Sequence, residues 1–435
     1  MTSTAAQNEV VGKGIAEGYL EESEIRSIVA QGLAQLDVDG RRVLLIVPDG
    51  TRTMPMPLLF DIVKAELAGR VTQLDVLIAT GTHRAMTDAH LTRHLGRTVT
   101  GCRTGQVRIF NHVSTDESSL TILGTIPAGE IAEISGGCMT GPLTVRLNRT
   151  ILDYDHLLIC GPVFPHEVAG FSGGTKYFFP GIAGNGIINL THWLGALVTS
   201  TEIIGVRDTP VRKIIDRAAS MVPREHSLIG LVTHHEGVGG IFCGPTVEAW
   251  RACADLSAQR HIIWLEQPAK RVLAIMPEMY TDLWTGAKGM YKSEPAVTDG
   301  GEVIIFAPHV RDVSHVHGHV IAEIGYHCRD YFLAQWERFR NYPGGILAHS
   351  THVKGKGTYD PATGIETPRI RVTLATGIPE DVCRRINLGY LNPASVDVKQ
   401  WREHAADGWL VVPRAGEMLY RLRNRTGDTG QCSRH

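Results

Sequence analysis

Short apolar runs rich in β-branched residues recur along the first half of the chain, and each ends in a polar loop. Residues 43–47 (VLLIV) lead into PDGTR, 74–79 into TGTHR, 157–160 into GPVFPHE and 228–232 into THHEG. Runs of this length without polar alternation predict parallel strands buried on both faces. Between them, apolar positions three and four apart over 21–36 (Ile25, Ile28, Val29, Leu33, Leu36) predict an amphipathic helix that Gly40 terminates, and 58–67 predicts another. Buried strand, polar loop and helix in repetition predict an open α/β sheet, in which ligands sit beyond the carboxyl ends of the strands. The four polar loops all fall on that edge, so they are read together as one site. Further strands are predicted at 272–276, 303–306, 346–348 and 410–412, after a boundary near 266–268 (EQP in EQPAKR). The expected architecture is α/β: two α/β domains with mostly parallel sheets, 1–265 and 266–435, with the active site in the cleft between them.

Composition narrows the function classes. With 435 residues there is ample chain for two or three cores. A formal net charge of −2 gives no basic excess for nucleic acid and no acidic tail. No apolar run reaches membrane-spanning length, and the first 14 residues (MTSTAAQNEVVGKG) have no apolar core of a secretory signal. The eight cysteines include no CxxC pair, which fits reduced thiols in a cytoplasm. The sequons at Asn148, Asn189 and Asn424 are then coincidental. Twenty histidines direct attention to metal or proton chemistry.

The segment 166–176 (HEVAGFSGGTK) is the most informative. Gly170, Gly173 and Gly174 permit positive φ and close backbone approach, Ser172 and Thr175 offer hydroxyls, and Lys176 adds charge, as a phosphate requires. A Gly-rich turn with a solvated lysine fits the same composition. The spacing satisfies neither GxxxxGK[ST] nor GxGxxG, and His166 lacks the second histidine of HExxH. Asp49 and Arg52 follow a strand, where arginine can clamp a carboxylate or phosphate and aspartate can orient a hydroxyl; a turn aspartate with an exposed arginine is the alternative. His83 is a strand-end base or a capping histidine, and Asp88 belongs to the following helix. His192 beside Trp193 is a candidate ligand for a late first-row metal, or a packed side chain. Lys288 pairs an anionic substrate or starts a helix. His315, His317 and His319 (SHVHGHV) would share one face of a strand and chelate a metal or bind a polyol. His327, Asp330, Gln335 and Trp336 line a pocket or pack. The adjacent histidines of THHEG are read as a loop or helix end.

Together these loops resemble the lactate racemase family that uses a nickel-pincer nucleotide. The resemblance spans about 40–350 and is strongest in HEVAGFSGGTKYFFPGIAG; the family's DxTR appears as Asp49-Gly-Thr-Arg52 and its GTHR as Gly81-Thr-His83-Arg84. The resemblance implies that Lys176 holds the pincer, that Ser172, Gly173, Gly174 and Asp49 attend the nucleotide, and that His192 is nickel's fourth ligand beside two sulfurs and a ring carbon. It implies that His83 and His166 are the acid/base pair and that Arg52 and Lys288 hold the substrate carboxylate. It places the cofactor loop and both histidines in 1–265 and completion of the substrate pocket in 266–435. The implied partners are a 2-hydroxy acid or sugar acid and, transiently, the cofactor-synthesis enzymes, with neither nucleic acid nor membrane.

The chemistry is consistent with this demand. C2–H of a 2-hydroxy carboxylate is barely acidic, so an imidazole cannot remove it as a proton at a useful rate, whereas hydride removal avoids a carbanion. The sequence departs from the family at Trp284-Thr285, where a Tyr-Gln pair is usual, and at HVRDVSHVHGHV, where an acidic Gly-rich stretch is usual. Trp284, Thr285 and Trp336 should face the substrate, so these departures point to a substrate larger than lactate: a longer or aromatic 2-hydroxy acid, or a sugar acid. A pincer-dependent oxidoreductase and a non-catalytic nucleotide or sugar-acid binder are the alternatives.

Overall fold

The structure, a computed structural model, describes residues 9–234 and 237–423. Its large sheet runs in the order Val11–Gly14, Gly237–Pro245, Glu225–His234, His156–Pro162, Arg42–Pro48, Gln73–Ala79, Val107–Asn111, Arg103–Thr104. The five strands from Glu225–His234 to Val107–Asn111 are mutually parallel, and antiparallel strands close both edges. The apolar runs are buried on both faces, as their lack of alternation demands. Leu44 and Ile46 join a core with Ile187, Leu194 and Ile214, while Leu45 and Val47 join another with Val29, Leu59 and Phe60. Helices Glu22–Ala34 and Met56–Leu67 therefore cover one face, and Asn185–Val198 and Pro210–Ala219 the other.

A second, five-stranded sheet is wholly parallel, in the order Gly389–Tyr390, Arg371–Thr376, Val297–Ala307, Ala269–Ile275, Trp409–Val412. The large sheet draws only on residues 11–245, and this one only on 269–412. Between them Ile262–Leu265 pairs in parallel with Leu419–Leu422.

Two expected elements differ. Residues 346–348 form no strand; they lie in the helix Gly344–Lys354, nearly every residue of which is buried. An apolar run of three carries no periodicity, and burial on all sides erases the amphipathic stripe that marks a helix. SHVHGHV is likewise no strand: a turn precedes the helix Gly318–Ile324, whose N-cap is His317. The alternation of its histidines has no shared face, and among the described residues no group of three His, Cys, Asp or Glu side chains could hold a metal.

The helix Gly344–Lys354 packs along Asn185–Val198, and glycine makes that approach possible. A Cβ on Gly344 would lie 2.6 Å from the Asn189 carbonyl oxygen. Gly345 N–H donates to Asn189 Oδ1 at 3.1 Å. The contact sets His349 and His352 on the same cavity wall as His192. Among the described residues no helix is long and apolar enough to cross a membrane. Of the cysteines, 102, 160, 243, 253, 328 and 383 are free, but Cys138 is disulfide-bonded, which corrects the expectation of uniformly reduced thiols.

Candidate active site

The strands Arg42–Pro48, Gln73–Ala79 and His156–Pro162 end at one edge, and the loops after them open onto a single cavity of about 600 Å³. Asp49, Arg52, His83, His166, Ser172, Gly173, Lys176 and His192 line it from the large-sheet side; Trp284, Thr285 and Lys288 line it from the other. Of the fourth loop, THHEG, the described residues Thr233, His234 and Gly237 do not line the cavity, His234 meeting the Tyr19 hydroxyl at 3.2 Å; residues 235–236 lie outside the described residues.

Two imidazoles in this cavity carry their protons on opposite nitrogens. His83 Nδ1 lies 2.6 Å from Asp49 Oδ2. A carboxylate only accepts, so Nδ1 bears the hydrogen and Nε2 presents a lone pair. His166 Nδ1 instead accepts the Val168 N–H at 3.1 Å, so in the neutral ring Nε2 bears the hydrogen. Burial, reinforced by Lys176 and Arg52, pushes the His166 pKa well below the usual imidazole value and keeps it neutral.

Asp49 is therefore placed to orient His83. Its Oδ1 accepts from Thr51 N at 3.1 Å and Thr51 Oγ1 at 2.6 Å, and the residue is buried. Burial opposes its ionisation, but His83, Arg52 and Thr51 outweigh it and hold the carboxyl far below the normal range.

The hydroxyls of the Gly-rich loop are bonded within the protein. Ser172 Oγ accepts from Phe164 N at 2.9 Å and donates to the Pro162 carbonyl at 3.2 Å. Thr175 Oγ1 donates to Asp216, and Arg212 donates back to it. Gly173 has φ +78°, and a Cβ there would meet Val163 at 2.6 Å; Gly174 packs on the Trp250 ring and does not line the cavity. The loop's glycines and hydroxyls thus lock it onto the protein's own interior. The loop presents Ser172, Gly173 and Lys176 to the cavity; among the described residues the Lys176 amine has no hydrogen-bond partner, and burial with Arg52 lowers its pKa to about 7.

His192 sits in the helix Asn185–Val198, with Nδ1 2.7 Å from the Ile188 carbonyl. The carbonyl fixes the hydrogen on Nδ1 and leaves the Nε2 lone pair unshared. Burial and Lys176 lower its pKa to about 4. Lys288 lies 4.5 Å over the Tyr280 ring, and burial with Arg52 holds its pKa well below that of a free lysine. A smaller recess shares Arg52, His166, Glu167 and Lys288 with the cavity and adds Lys292 and Glu417. Arg52, Lys176, Lys288 and Lys292 gather at this end with the carboxylates of Glu167 and Glu417, a donor-rich set that could meet an anion.

Several expected residues are elsewhere. Trp336 does not line the cavity; it stacks on Trp193 at 5.5 Å and is partly exposed. His327 Nδ1 is engaged by Glu366 at 2.9 Å, Asp330 pairs with Arg329, and Gln335 donates to the Tyr331 carbonyl. Asp88 accepts from the backbone of Gly101 and Cys102. Thr285 lines the cavity, but its hydroxyl donates to Asp282 at 2.7 Å. Missed by the sequence reading were Glu167, Lys292, His349 and His352. The i, i+3 spacing of His349 and His352 was the available signal, hidden by reading that segment as a strand.

The lactate racemase N-terminal domain family matches residues 8–205. The lactate racemase of Lactiplantibacillus plantarum is 30% identical over 297 residues, 66% of this chain and 65% of that one. That of Thermoanaerobacterium thermosaccharolyticum is 26% identical over 275 residues, 61% of this chain and 60% of the relative. The matched stretches thus span under two thirds of the length of these relatives. Among solved structures, a protein from Thermotoga maritima superposes with a TM-score of 0.86 at 31% identity, covering 94% of this chain and 100% of that one. The lactate racemase apoprotein from T. thermosaccharolyticum gives 0.69 at 20% identity, over 94% and 95%, which speaks to the fold alone.

Proposed function

From its match to the lactate racemase N-terminal domain and to the two lactate racemases above, we propose that the chain is a member of that family and inverts C2 of a 2-hydroxy carboxylate larger than lactate, with a nickel-pincer nucleotide as cofactor. The observation that carries the reading is the pair of imidazoles on one cavity, His83 with a free Nε2 lone pair and His166 with an Nε2–H. An inversion needs one group to take a proton and another to return it on the opposite face.

The residues suit the cofactor. A nickel ion accepts neutral imidazole, and His192 is held neutral with its tautomer fixed. Among the described residues no side-chain cluster could hold a metal unaided, so the remaining ligands would come from the organic group. Lys176, with a pKa near 7, is unprotonated in large part at neutral pH and is suited to an amide-type attachment. When bound, the group would supply a hydride acceptor.

The chain's own residues would do the rest. Arg52 and Lys288 bind the carboxylate and fix C2. His83 Nε2 takes the hydroxyl proton as the C2 hydrogen leaves with its electron pair, giving a planar 2-oxo acid. That acid would reorient, and as hydride returns to its other face the oxygen proton would come from His166 Nε2 after that ring has been charged to the imidazolium by a proton from solvent. The reverse direction exchanges the two roles.

The test is a chiral-product screen of 2-hydroxy acids and sugar acids with the cofactor-loaded enzyme. Interconversion of the two C2 configurations is expected for a substrate larger than lactate. Net release of 2-oxo acid with an added acceptor, or no turnover of any acid by nickel-loaded protein, would overturn it.

A further inference from the structure

The cavity wall farthest in sequence from the acid/base pair carries groups that this chemistry does not use. Trp284, His317, His349 and His352 all line the cavity. His349 stacks on the Trp284 indole with centroids 3.9 Å apart and 7° between planes, and His317 packs on the same indole at 4.5 Å. His349 Nε2 lies 3.0 Å from the Trp284 carbonyl, which only accepts, so Nε2 bears the hydrogen and Nδ1 is left as a lone pair. That Nδ1 is buried without a partner, and so are His317 Nε2 and His352 Nε2. Both His349 and His352 are more than nine-tenths buried, with relative exposures of 8% and 4%. Orphaned polar atoms in a buried wall ask for an external partner, because each unmade bond is a desolvation cost of roughly 1–3 kcal/mol.

The chemistry of the wall discriminates among the tails a large 2-hydroxy acid can carry. A second carboxylate would set an anion against the His349 lone pair. Burial keeps His349 neutral, with a pKa near 4, so it does not become a cation to meet one. An alkyl or aryl tail would leave the nitrogens unpaired. It would also find the indole already packed by two imidazoles, so Trp284 is not a free stacking surface. A hydroxyl donates to an acceptor nitrogen such as His349 Nδ1 and carries no charge. No metal cluster competes for these histidines among the described residues.

We propose that this wall binds the hydroxyls of a polyhydroxylated acid, so that the substrate class is an aldonic-type 2-hydroxy acid, with His349 Nδ1 as the principal acceptor and His317 beside it. The inference rests on the racemase reading for C2 but on the wall alone for the tail.

The experiment is calorimetric titration of the full-length, cofactor-loaded protein with D-gluconate, 2-hydroxyhexanoate and 3-phenyllactate, followed by chiral analysis of each acid. Gluconate and 2-hydroxyhexanoate have equal carbon counts and differ in their distal hydroxyls. Gluconate is expected to bind at least about tenfold more tightly than either, the worth of one net hydrogen bond. His349→Phe keeps a ring against Trp284 and removes Nδ1, and should bring the ratio of the two dissociation constants close to one. His317→Phe provides a second variant if the first does not fold. Equal binding of gluconate and 2-hydroxyhexanoate, or a ratio untouched in the variants, overturns the polyol assignment. If lactate or 2-hydroxyhexanoate is inverted while gluconate binds no better, the racemase reading stands and this inference falls. If gluconate binds tightly but no acid is inverted, the reverse holds.

Discussion

Asp49 Oδ2 lies 2.6 Å from His83 Nδ1, while the other oxygen of the same carboxylate is held by the Thr51 backbone and hydroxyl. The aspartate is thus fixed before it fixes the imidazole. Replacing it with asparagine would keep the shape but allow the amide to donate, which favours the tautomer with hydrogen on Nε2 and removes the base. Asp49→Asn is expected to lower kcat by about 10³–10⁴-fold, with little change in KM. The kcat–pH profile should also shift, because the imidazolium loses its counter-charge. A purely structural aspartate would leave that profile in place, and a variant with normal turnover would show that His83 needs no orienting partner.

His83 and His166 enter with opposite tautomers, yet reversibility requires each to serve both as acid and as base. His83→Ala and His166→Ala should therefore each slow inversion in both directions by at least about 10²-fold, leaving the circular dichroism unchanged. Near-normal turnover in either variant would refute the two-base scheme. Lys176→Ala should remove any cofactor adduct from the intact mass of the loaded protein; an adduct that persists would move the attachment point elsewhere.

Much of this arrangement is legible in the chain because strand ends are. The runs 43–47, 74–79 and 157–160 read as buried strands, each followed by a polar loop, and an open α/β sheet puts those loops on one edge, which brings Asp49, His83 and His166 to one cavity. What stays hidden is decided by tertiary packing. The chain 346–348 looks the same as a buried strand and as a buried helix, although Pro343 and Gly355 flank the observed helix at its two caps. Its misreading also concealed His349 and His352. Nothing local distinguishes a serine whose hydroxyl awaits a phosphate from Ser172, whose hydroxyl is spent on Phe164 and Pro162. Trp336 finds its partner in Trp193, 143 positions away in sequence, which no motif announces.

The lowered pKa of Lys176 has a consequence for stability in the protein without cofactor. In the unfolded chain this amine titrates near 10.4, and in the folded state burial and Arg52 bring it to about 7. Between those values the unfolded state holds the extra proton, so the lysine's penalty is full below pH 7, fades as pH rises, and is gone above about 10. Lys176→Met should therefore stabilise the apo protein by a few kcal/mol at pH 7 or below, on the order of the 3-unit shift, and by little near pH 10. Denaturant midpoints of both proteins across that range would check it. A difference that does not shrink with rising pH would mean that the amine is charged in the folded protein.

Gly344 offers a test of how the cavity is closed. It occupies the first turn of the helix Gly344–Lys354, where alanine would ordinarily be the better residue by about 0.5–1 kcal/mol. Its Cβ would stand 2.6 Å from the Asn189 carbonyl oxygen, however, and a backbone oxygen inside the helix Asn185–Val198 cannot swing aside as a side chain can. The clash should win: Gly344→Ala is expected to destabilise the protein by about 1–3 kcal/mol and to push apart the helices that carry His192 and His349. Gly129 is the control, since it lies in the helix Ala128–Ile134 with nothing within 4 Å of a built Cβ. Gly129→Ala should stabilise by roughly 0.4–1 kcal/mol. Opposite signs for the two substitutions in denaturant unfolding, with nickel retention reduced only in Gly344→Ala, are the expected result. Equal stabilisation by both would mean that the two helices are free to separate, and that the wall holding His349 and His352 does not stand where this packing puts it.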